Sequence, residues 1–438
     1  MPLEESPFQG DACNLTCICP TKTADQTASR VNHRSSTLSV VSEDKWDVSV
    51  EVESNFYNWD GAPKIEESVQ SQNMTKVGHV DLFSGCGGFS TGFELAGFET
   101  AVALDIHPPS LETLRLNHPS AHSILGDIRK VDETDLSSLA AKGRPGLVVT
   151  AGVPCQGFSL SNRKRHADDK RNFLFLEFIR VAEHLRPDVV VLENVSGLVS
   201  TKDGAFKRDI AAAIEELGYD VHFALLNAAD YGVPQTRKRV FFVGVPKGAK
   251  WLFPEVEFGV PGRPYRTVRD AILGDLPRLS AGASSQKYLG PPTSELQEWL
   301  RRDHDGLLFN HAAPAHPQDT IDRIKATKPG EPMYPAFKQR IRVHPENPSP
   351  TQICGGIRPQ FQFGHPTQAR GLTIRERARI QSFPDWYHFT GGVTQGRVQT
   401  GNAVPPLLAK AIADQIARLL NGSKLAGIPA EPIRDTLF

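Results

Sequence analysis

The residue best placed for chemistry is Cys155, within the segment TAGVPCQGFS (150–159). The apolar run 147–150 predicts a short buried strand, so Cys155 lies where a strand ends and a polar, basic segment begins. In open α/β sheets, ligands bind at the carboxyl ends of strands. A thiol there becomes nucleophilic when a helix N-terminus or a cation lowers its pKa from about 8.5. The alternative is a cysteine that only packs, but Pro154 and the flanking glycines favour an exposed turn.

Two further segments carry charged side chains at the ends of predicted strands. The buried strand 188–195 ends with Glu193, and a buried carboxylate is costly unless it is paired or used. Gln235, Arg237 and Arg239 alternate along an extended segment, so all three are expected to project to one side. Such a row suits a base edge or a phosphate, whereas a solvated edge strand is the alternative.

A glycine-rich turn, SGCGG (84–88), joins a predicted strand at 79–83 to a predicted helix at 89–97. Such a turn lets the backbone approach a ligand closely. The next strand ends in Asp105, whose carboxylate could accept hydrogen bonds from ribose hydroxyls, and Asp127 could accept one from an adenine amino group. The turn lacks the pattern G-x-G-x-x-G, so we expect an adenosine cofactor other than a dinucleotide.

The composition bounds the class of protein. The chain has 438 residues, of which 39% are hydrophobic and 23% are charged, and this indicates a globular protein of two or three domains. The absence of a long apolar run predicts no membrane span. Six cysteines do not suggest a disulfide framework, so a reducing cytoplasm is expected. Cys13, Cys17 and Cys19 lack a fourth ligand nearby, and no metal site is expected.

The charge is unevenly distributed. Residues 1–75 hold 12 acidic and 5 basic side chains, a net charge of −7, which leaves +6 for the remainder of a chain whose total is −1. We therefore expect an acidic, disordered leader and a mildly basic body that is compatible with a DNA partner. Met74 lies just before the first convincing strand, and translation from Met74 would exclude the leader from the native protein.

Seven motifs together resemble those of the DNA (cytosine-5) methyltransferases, in the family's order and over nearly all of the chain from Val80 to Leu420. They are DLFSGCGG (81–88), GDI (126–128), VPCQGFS (153–159), ENV (193–195), QTRKR (235–239), RERARIQSFPD (375–385) and GNAVPP (401–406). Val153 departs slightly from the residue usual at its position. The resemblance implies a doubly wound, mostly parallel α/β sheet of the S-adenosylmethionine-dependent methyltransferase type, with a smaller target-recognition domain.

The resemblance assigns the chemistry to four side chains. Cys155 would add to C6 of cytosine, which turns the ring into an enamine and makes C5 nucleophilic. Glu193 would protonate or bond N3 as charge develops. Arg239, together with Arg237, would hold the base O2 and fix Glu193 through charge-assisted hydrogen bonds. The residues do not identify the base that later removes the C5 proton.

The resemblance also assigns the two ligands. The target cytosine must be flipped out of duplex DNA. The DNA contacts would come from Gln156, Ser159, Ser161, Arg163, Lys164, Arg165 and Gln235. The cofactor implied is S-adenosylmethionine, and its site would comprise Asp81, Phe83, Gly85, Gly87, Asp105, Ile106, Asp127 and Asn402.

The expected organisation follows the motifs. It comprises the leader (1–75), a catalytic and cofactor domain (76–254, completed by 391–425), a target-recognition domain (255–372), a hinge segment (373–390) and a tail (426–438). The segment 323–342 has six basic residues, one acid and two aromatic side chains, which suits either a DNA-facing surface or a solvated charged face. An amphipathic helix is predicted at 372–383, starting near Thr373, and a closing helix at 406–420.

Three alternatives stay open. The related tRNA-methylating branch shares the catalytic plan, but its Cys-Phe-Thr element is absent here. A catalytically silent DNA-binding protein would not need Cys155, Glu193 and Arg239 intact. A nucleotide-dependent oxidoreductase would be expected to carry the dinucleotide pattern. The expected partner is double-stranded DNA, with no membrane, for a monomer in the cytoplasm at the nucleoid. Restriction–modification, with a cognate restriction endonuclease as a second partner, and orphan DNA methylation both stay open.

Overall fold

The computed structural model describes residues 76–140, 144–154, 174–200, 204–304, 306–354 and 362–431. The chain divides into two units, 1–62 and 63–438, and all described residues belong to the second. The predictions for the leader therefore lie outside the described residues. Within the described ranges, no helix is both long and apolar enough to cross a membrane.

A seven-stranded sheet forms the centre of this unit, in the order β3-β2-β1-β4-β5-β8-β6. Its strands are β1 (Gly78–Leu82), β2 (Glu99–Asp105), β3 (His122–Leu125), β4 (Leu147–Gly152), β5 (Val189–Val195), β6 (Tyr219–Asn227) and β8 (Lys238–Pro246). β1 to β5 pair in parallel, and β8 inserts antiparallel between β5 and β6. The sheet confirms the predicted doubly wound, mostly parallel fold class.

Helices cover both faces of the sheet because its strands are apolar on both sides. The helices that follow the first strands are α1 (Gly88–Leu95), α2 (Pro108–Asn117), α3 (Glu133–Ala140), α4 (Phe175–Leu185), α5 (Gly197–Ser200) and α6 (Ala205–Glu216). Along β5, Val190 and Leu192 pack in the cluster with α3, α4 and α6. Val189 and Val191 point the other way, into the cluster that contains α1. Glu193 continues this second series, so it belongs to the α1 face.

The segment after β8 has an apolar cluster of its own. Its elements are α7 (Val268–Ile272), α8 (Glu295–Arg301), α9 (Gln318–Ala326), and the short strands β9 (Ile341–Arg342), β10 (Ser349–Pro350) and β11 (Phe363–Gly364). The cluster brings α7 and α8 together with Val343, Phe363 and Leu372. This segment is also paired with the chain just before β8. There β10 pairs in parallel with β7 (Gln235–Thr236).

The helix predicted at 372–383 is shorter than expected and is not amphipathic. It spans Ile374–Ile380 (α10), with Thr373 as N-cap in a capping box with Glu376. All of its residues are buried, including three arginines. The prediction was wrong in this respect because arginines were read as a solvated face. In the fold Arg379 is neutralised by Asp275 and Asp385, at 2.8 and 2.6 Å, whereas Arg377 bonds the Thr400 hydroxyl and the Ile353 carbonyl oxygen.

The last two helices return the chain to the start of the sheet. α11 spans Gly392–Asn402 and α12 spans Pro406–Leu420, as predicted for the closing helix. α12 packs against α1, and both contribute to the same apolar cluster. The two helices approach closely at Gly92, where an added Cβ would lie 2.4 Å from the Ala409 Cβ and 2.7 Å from the Lys410 nitrogen.

We predict that Gly92→Ala destabilises the protein by about 2 kcal/mol, because the backbone of α12 must move to accommodate one methyl group. The higher helix propensity of alanine offsets only part of this cost. Urea denaturation of the variant and the wild type measures the difference.

Gly290→Ala is the matched control. No atom of the described residues lies within 4 Å of its added Cβ, so its stability should stay within about 0.5 kcal/mol of the wild type. Equal stability of the two variants would contradict the close contact of α1 with α12.

Candidate active site

A crevice is expected at the carboxyl ends of β1 and β4, where the strand order reverses. The next strand places Glu193 at the same edge, because Gly152 at the end of β4 is paired in register with Glu193. Among the described residues, an added Cβ at Gly152 would meet only the Glu193 carboxylate and the Phe83 carbonyl oxygen, both at 3.8 Å. The glycine turn after β1 and the carboxylate of β5 therefore meet at Gly152.

Glu193 and Arg239 form a buried ion pair at this edge. The Arg239 Nε lies 2.9 Å from the Glu193 Oε1, and both side chains are largely buried. The pair forms because β5 and β8 run antiparallel, with Glu193 opposite Phe241 and Arg239 two residues before it on the same face. Burial raises the pKa of Glu193, and the positive charges of Arg239 and Arg237 oppose that rise.

Arg237 lies deeper and binds backbone carbonyl groups. Its guanidinium donates to the carbonyl oxygens of Gln352 at 3.0 Å and of Gly401 at 3.1 Å, with a longer contact to that of Asn402. Burial lowers the pKa of Arg237. Its Nε has no partner among the described residues. Arg237 thus connects its own segment, between β7 and β8, with the segments that contain Gln352 and Gly401.

Gln235 does not lie where a DNA contact requires. Its side chain is fully buried, its Nε2 donates to the Gln381 Oε1 at 2.6 Å, and its Oε1 accepts from the Gln352 nitrogen at 2.9 Å. The expectation that the alternating row faces a ligand is therefore corrected for this residue. Gln235 and Arg237 face the interior, next to β10 and α10, whereas Arg239 pairs with Glu193.

The glycine turn is held by the carboxylate of Asp105, at the end of β2. The Asp105 Oδ2 accepts from the Gly85 nitrogen at 2.7 Å, and its Oδ1 accepts from the His107 nitrogen at 2.7 Å. Phe83 and Gly87 both have positive φ, of 56° and 84°, so the chain reverses sharply here.

Asp81 differs from the expectation that it lines the cofactor pocket. It is fully buried, and its carboxylate accepts from the Ser90 hydroxyl at 2.6 Å and from Thr150 at 3.2 Å. Burial raises its pKa to about 6. Asp81 thus secures the start of α1 against β4.

The remaining predicted cofactor residues leave room for an adenosine. No described atom lies within 4 Å of a Cβ built on Gly85, and Ile106 is 65% exposed beside Asp105. The Ser84 hydroxyl is buried and has no hydrogen-bond partner among the described residues. Asp127 keeps an ionised carboxylate because Arg129 lowers its pKa to about 2. These features fit a ligand with apolar ring, hydroxyl and amino groups, and the exposed Asn402 lies across the turn at the end of α11.

The predicted nucleophile and most predicted DNA contacts lie outside the described residues. These are Cys155, Gln156, Ser159, Ser161, Arg163, Lys164 and Arg165. In the basic segment 323–342, Arg342 has a structural role, since its guanidinium donates to the carbonyl oxygens of Ile324, Thr327 and His365. Arg323, Lys325, Lys328 and Lys338 are exposed.

The sequence reasoning missed the buried amides that support the site. Gln352, Gln381 and Gln399 are each almost completely buried and bonded to backbone atoms. The sequence did offer a signal for two of them. Gln381 lies within the motif RERARIQSFPD, and Gln399 lies two residues before GNAVPP. Gln352 gave no signal, since its burial depends on the pairing of β10 with β7.

Comparison with known proteins agrees with this geometry. A solved structure from E. coli, assigned as a DNA modification methyltransferase encoded within a prophage, superposes with a TM-score of 0.67 at 27% identity, covering 79% of this chain and all of that one. The type II methyltransferase M1.HphI of Haemophilus parahaemolyticus is 36% identical, covering 78% of this chain and 87% of the relative. M.DdeI of Desulfomicrobium norvegicum is 37% identical, covering 77% and 88%. A family model of the C-5 cytosine-specific DNA methylases matches residues 77–418, and the chain belongs to that family.

Proposed function

We propose that the protein transfers a methyl group from S-adenosylmethionine to C5 of a flipped-out cytosine in a specific duplex DNA site, through a covalent bond between Cys155 and C6. The observation that carries this proposal is the buried Glu193–Arg239 pair, 2.9 Å apart, at the edge where β4 and β5 end. Cys155 follows Gly152 by three residues, and three residues of chain reach about 10 Å at most.

The reaction needs a nucleophile because C5 of cytosine is not reactive by itself. The Cys155 thiolate forms a bond to C6, and the ring electrons move toward N3, which takes a proton. C5 then belongs to an enamine and can be alkylated. After alkylation a base removes the C5 proton, the carbon–sulfur bond breaks, the C5=C6 bond forms again, and the N3 proton returns to its donor.

Glu193 is the proposed proton donor to N3. Its raised pKa favours the protonated form that this role requires. Arg239 opposes full protonation of Glu193 and holds one of its carboxylate oxygens, so the other oxygen stays available for the cytosine. Arg237 has a positioning role in this proposal, because its guanidinium bonds to the protein backbone.

The cofactor would be held by the open side of the glycine turn. S-adenosylmethionine, when bound, supplies the electrophilic methyl carbon. Gly85 and Gly87 would admit it to the backbone, Asp105 would bond its ribose, and Ile106 would contact its ring. Asp127 would accept from the adenine amino group. Phe83 would line the same pocket, Asp81 would support it from the interior, and Asn402 would lie at the boundary with the base.

The DNA would bind along the segment that begins at Gln156 and along the insertion after β8. We propose residues 255–372 as the target-recognition domain, because they have their own apolar cluster and carry the exposed cations between 323 and 342. Residues 76–254 with 391–425 would form the catalytic domain, with 373–390 between the two. The packing of α12 on α1 supports this division.

A role in restriction and modification is the accompanying proposal. The similar proteins M1.HphI and M.DdeI are named type II methyltransferases. A cognate restriction endonuclease that cuts the same DNA site is therefore the expected partner system, and the protein would act in the cytoplasm, at the nucleoid, as a monomer.

We predict that the purified protein transfers labelled methyl from S-adenosylmethionine to duplex DNA, with all label in 5-methylcytosine. Cys155→Ser should lower this transfer by at least about 10³-fold, because a neutral hydroxyl is a far weaker nucleophile than a thiolate. Scintillation counting, base analysis and sequencing of the product give the rate, the atom and the target site.

Transfer RNA serves as the competing substrate in the same assay. Label in tRNA alone would contradict the DNA assignment and favour the RNA-methylating branch. Absence of label in both, from a folded protein that binds the cofactor, would favour the silent DNA-binding protein.

The ion pair predicts a specific pH dependence. If Glu193 donates a proton, the methylation rate falls as pH rises through its raised pKa. Arg239→Ala removes a charge that lowers this pKa, so the descending limb of the rate profile should move to higher pH. The rate itself should fall by about 10²-fold because the carboxyl group is no longer held.

Lys238→Ala, a charge change at the adjacent exposed position of β8, is the control and should leave the limb at the wild-type pH. Single-turnover rates between pH 5 and 10 measure both variants. A limb that does not move in Arg239→Ala would argue against Glu193 as the acid.

A further inference from the structure

Tyr387 and Gln399 lie behind the two loops to which the proposed function assigns the cofactor. One loop is the glycine turn with Cys86 at its centre, and the other is the connection from β2 to α2 that begins at Asp105. Both Tyr387 and Gln399 are buried, as is Cys86, and none of the three touches the open face of the site. Their polar atoms instead bond the backs of the loops.

Tyr387 supports the glycine turn directly. Its hydroxyl donates to the Cys86 carbonyl oxygen. Its ring is fixed between Phe383 and Phe389, with ring centres at 4.7 and 5.4 Å. The approach is possible because Gly87 has no side chain: an added Cβ would lie 2.7 Å from the Tyr387 hydroxyl oxygen. A rigid phenol therefore determines where the turn can lie.

Gln399 bonds both loops at once. The backbone carbonyl oxygen of Gln399 accepts from the Cys86 thiol at 3.6 Å. Its side-chain Nε2 donates to the Pro109 carbonyl oxygen at 3.0 Å, in the first turn of α2. Its Oε1 accepts from the Thr113 hydroxyl at 3.0 Å, one turn further along α2. Gln399 thus contacts the glycine turn through its backbone and α2 through its carboxamide, so this one residue connects the two.

The front of the two loops has only one direct connection between them, from the Gly85 nitrogen to the Asp105 carboxylate at 2.7 Å, within the described residues. A carboxylate that also binds ribose must share its oxygens, so this bond alone is a weak constraint. The bonds from Tyr387 and Gln399 do not compete with a ligand.

We propose that Tyr387 and Gln399 are positioning residues for the cofactor. They hold the glycine turn and the start of α2 in the binding geometry before the cofactor arrives, so less ordering is needed on binding. The inference rests on the proposed cofactor site. The proposed role is not shared by the buried arginines of α10. Those arginines stabilise the insertion and its contact with the rest of the protein, but they contact neither loop.

Tyr387→Phe and Gln399→Ala test the proposal by cofactor binding. Tyr387→Phe removes only the hydroxyl, so we expect the Kd for S-adenosylhomocysteine to rise about fivefold, the effect of one hydrogen bond. Gln399→Ala removes the side-chain bonds to Pro109, Thr113 and the Thr390 carbonyl oxygen and keeps the backbone bond from Cys86, and the Kd should rise at least about tenfold. Isothermal titration of the full chain, well below the unfolding temperature of each variant, gives these constants. The Kd for duplex DNA, measured by fluorescence anisotropy, should change less than about threefold.

Tyr288→Phe is the matched control. It deletes the hydroxyl of a half-buried tyrosine, which donates to Asp385 at 2.6 Å, two residues before Tyr387. Its Kd for S-adenosylhomocysteine should stay within about twofold of the wild type, since neither loop loses a bond.

An unchanged Kd for S-adenosylhomocysteine in folded Tyr387→Phe and Gln399→Ala would overturn the proposal. Equal weakening of cofactor and DNA binding would also overturn it, because that is the effect of a general loss of structure. If Gln399→Ala does not fold, Tyr387→Phe decides by itself. Absence of binding by the wild-type protein would overturn the cofactor assignment, and the inference with it.

Discussion

The buried pair of Glu193 and Arg239 is the constraint on which the rest of the site depends. Removing a carboxylate and a guanidinium from water costs several kcal/mol each, and their attraction offsets this only if the geometry is well defined. The register of β5 and β8 supplies that geometry, because both residues belong to central strands of the sheet. A loop could not hold them as firmly. Burial of Glu193 at this edge raises its pKa, and the charges of Arg239 and Arg237 oppose that rise.

The surroundings of this pair are unusually polar for an interior. Arg237 bonds three carbonyl groups, and Gln235 and Gln352 connect β7 with β10. In α10, Arg379 is neutralised by two aspartates through several short hydrogen bonds. Such charge-assisted networks are favourable only when complete, so they fix a single arrangement of the insertion against the sheet. The arrangement of the candidate active-site edge is thereby linked to that of the insertion after β8.

Much of this fold was predictable because strands buried on both faces give continuous apolar runs, as 189–192 does. The site was predictable where a polar residue interrupts such a run, as at Glu193, or follows it, as at Asp105. Prediction was wrong where polar residues are internal: the row of Gln235 and Arg237 faces protein, and α10 is buried on all sides. Local pattern cannot distinguish a solvated arginine from one neutralised by an aspartate about a hundred residues away, such as Asp275.

The central claim is that Cys155 bonds covalently to cytosine C6 during methyl transfer. Duplex DNA prepared with 5-fluorocytosine tests it most directly, because fluorine at C5 cannot leave as a proton does and the adduct persists. The account predicts a protein–DNA species that survives denaturing electrophoresis, requires S-adenosylmethionine and is absent for Cys155→Ala. A species that persists in Cys155→Ala, or its absence from wild-type protein that methylates ordinary DNA, would contradict the covalent mechanism.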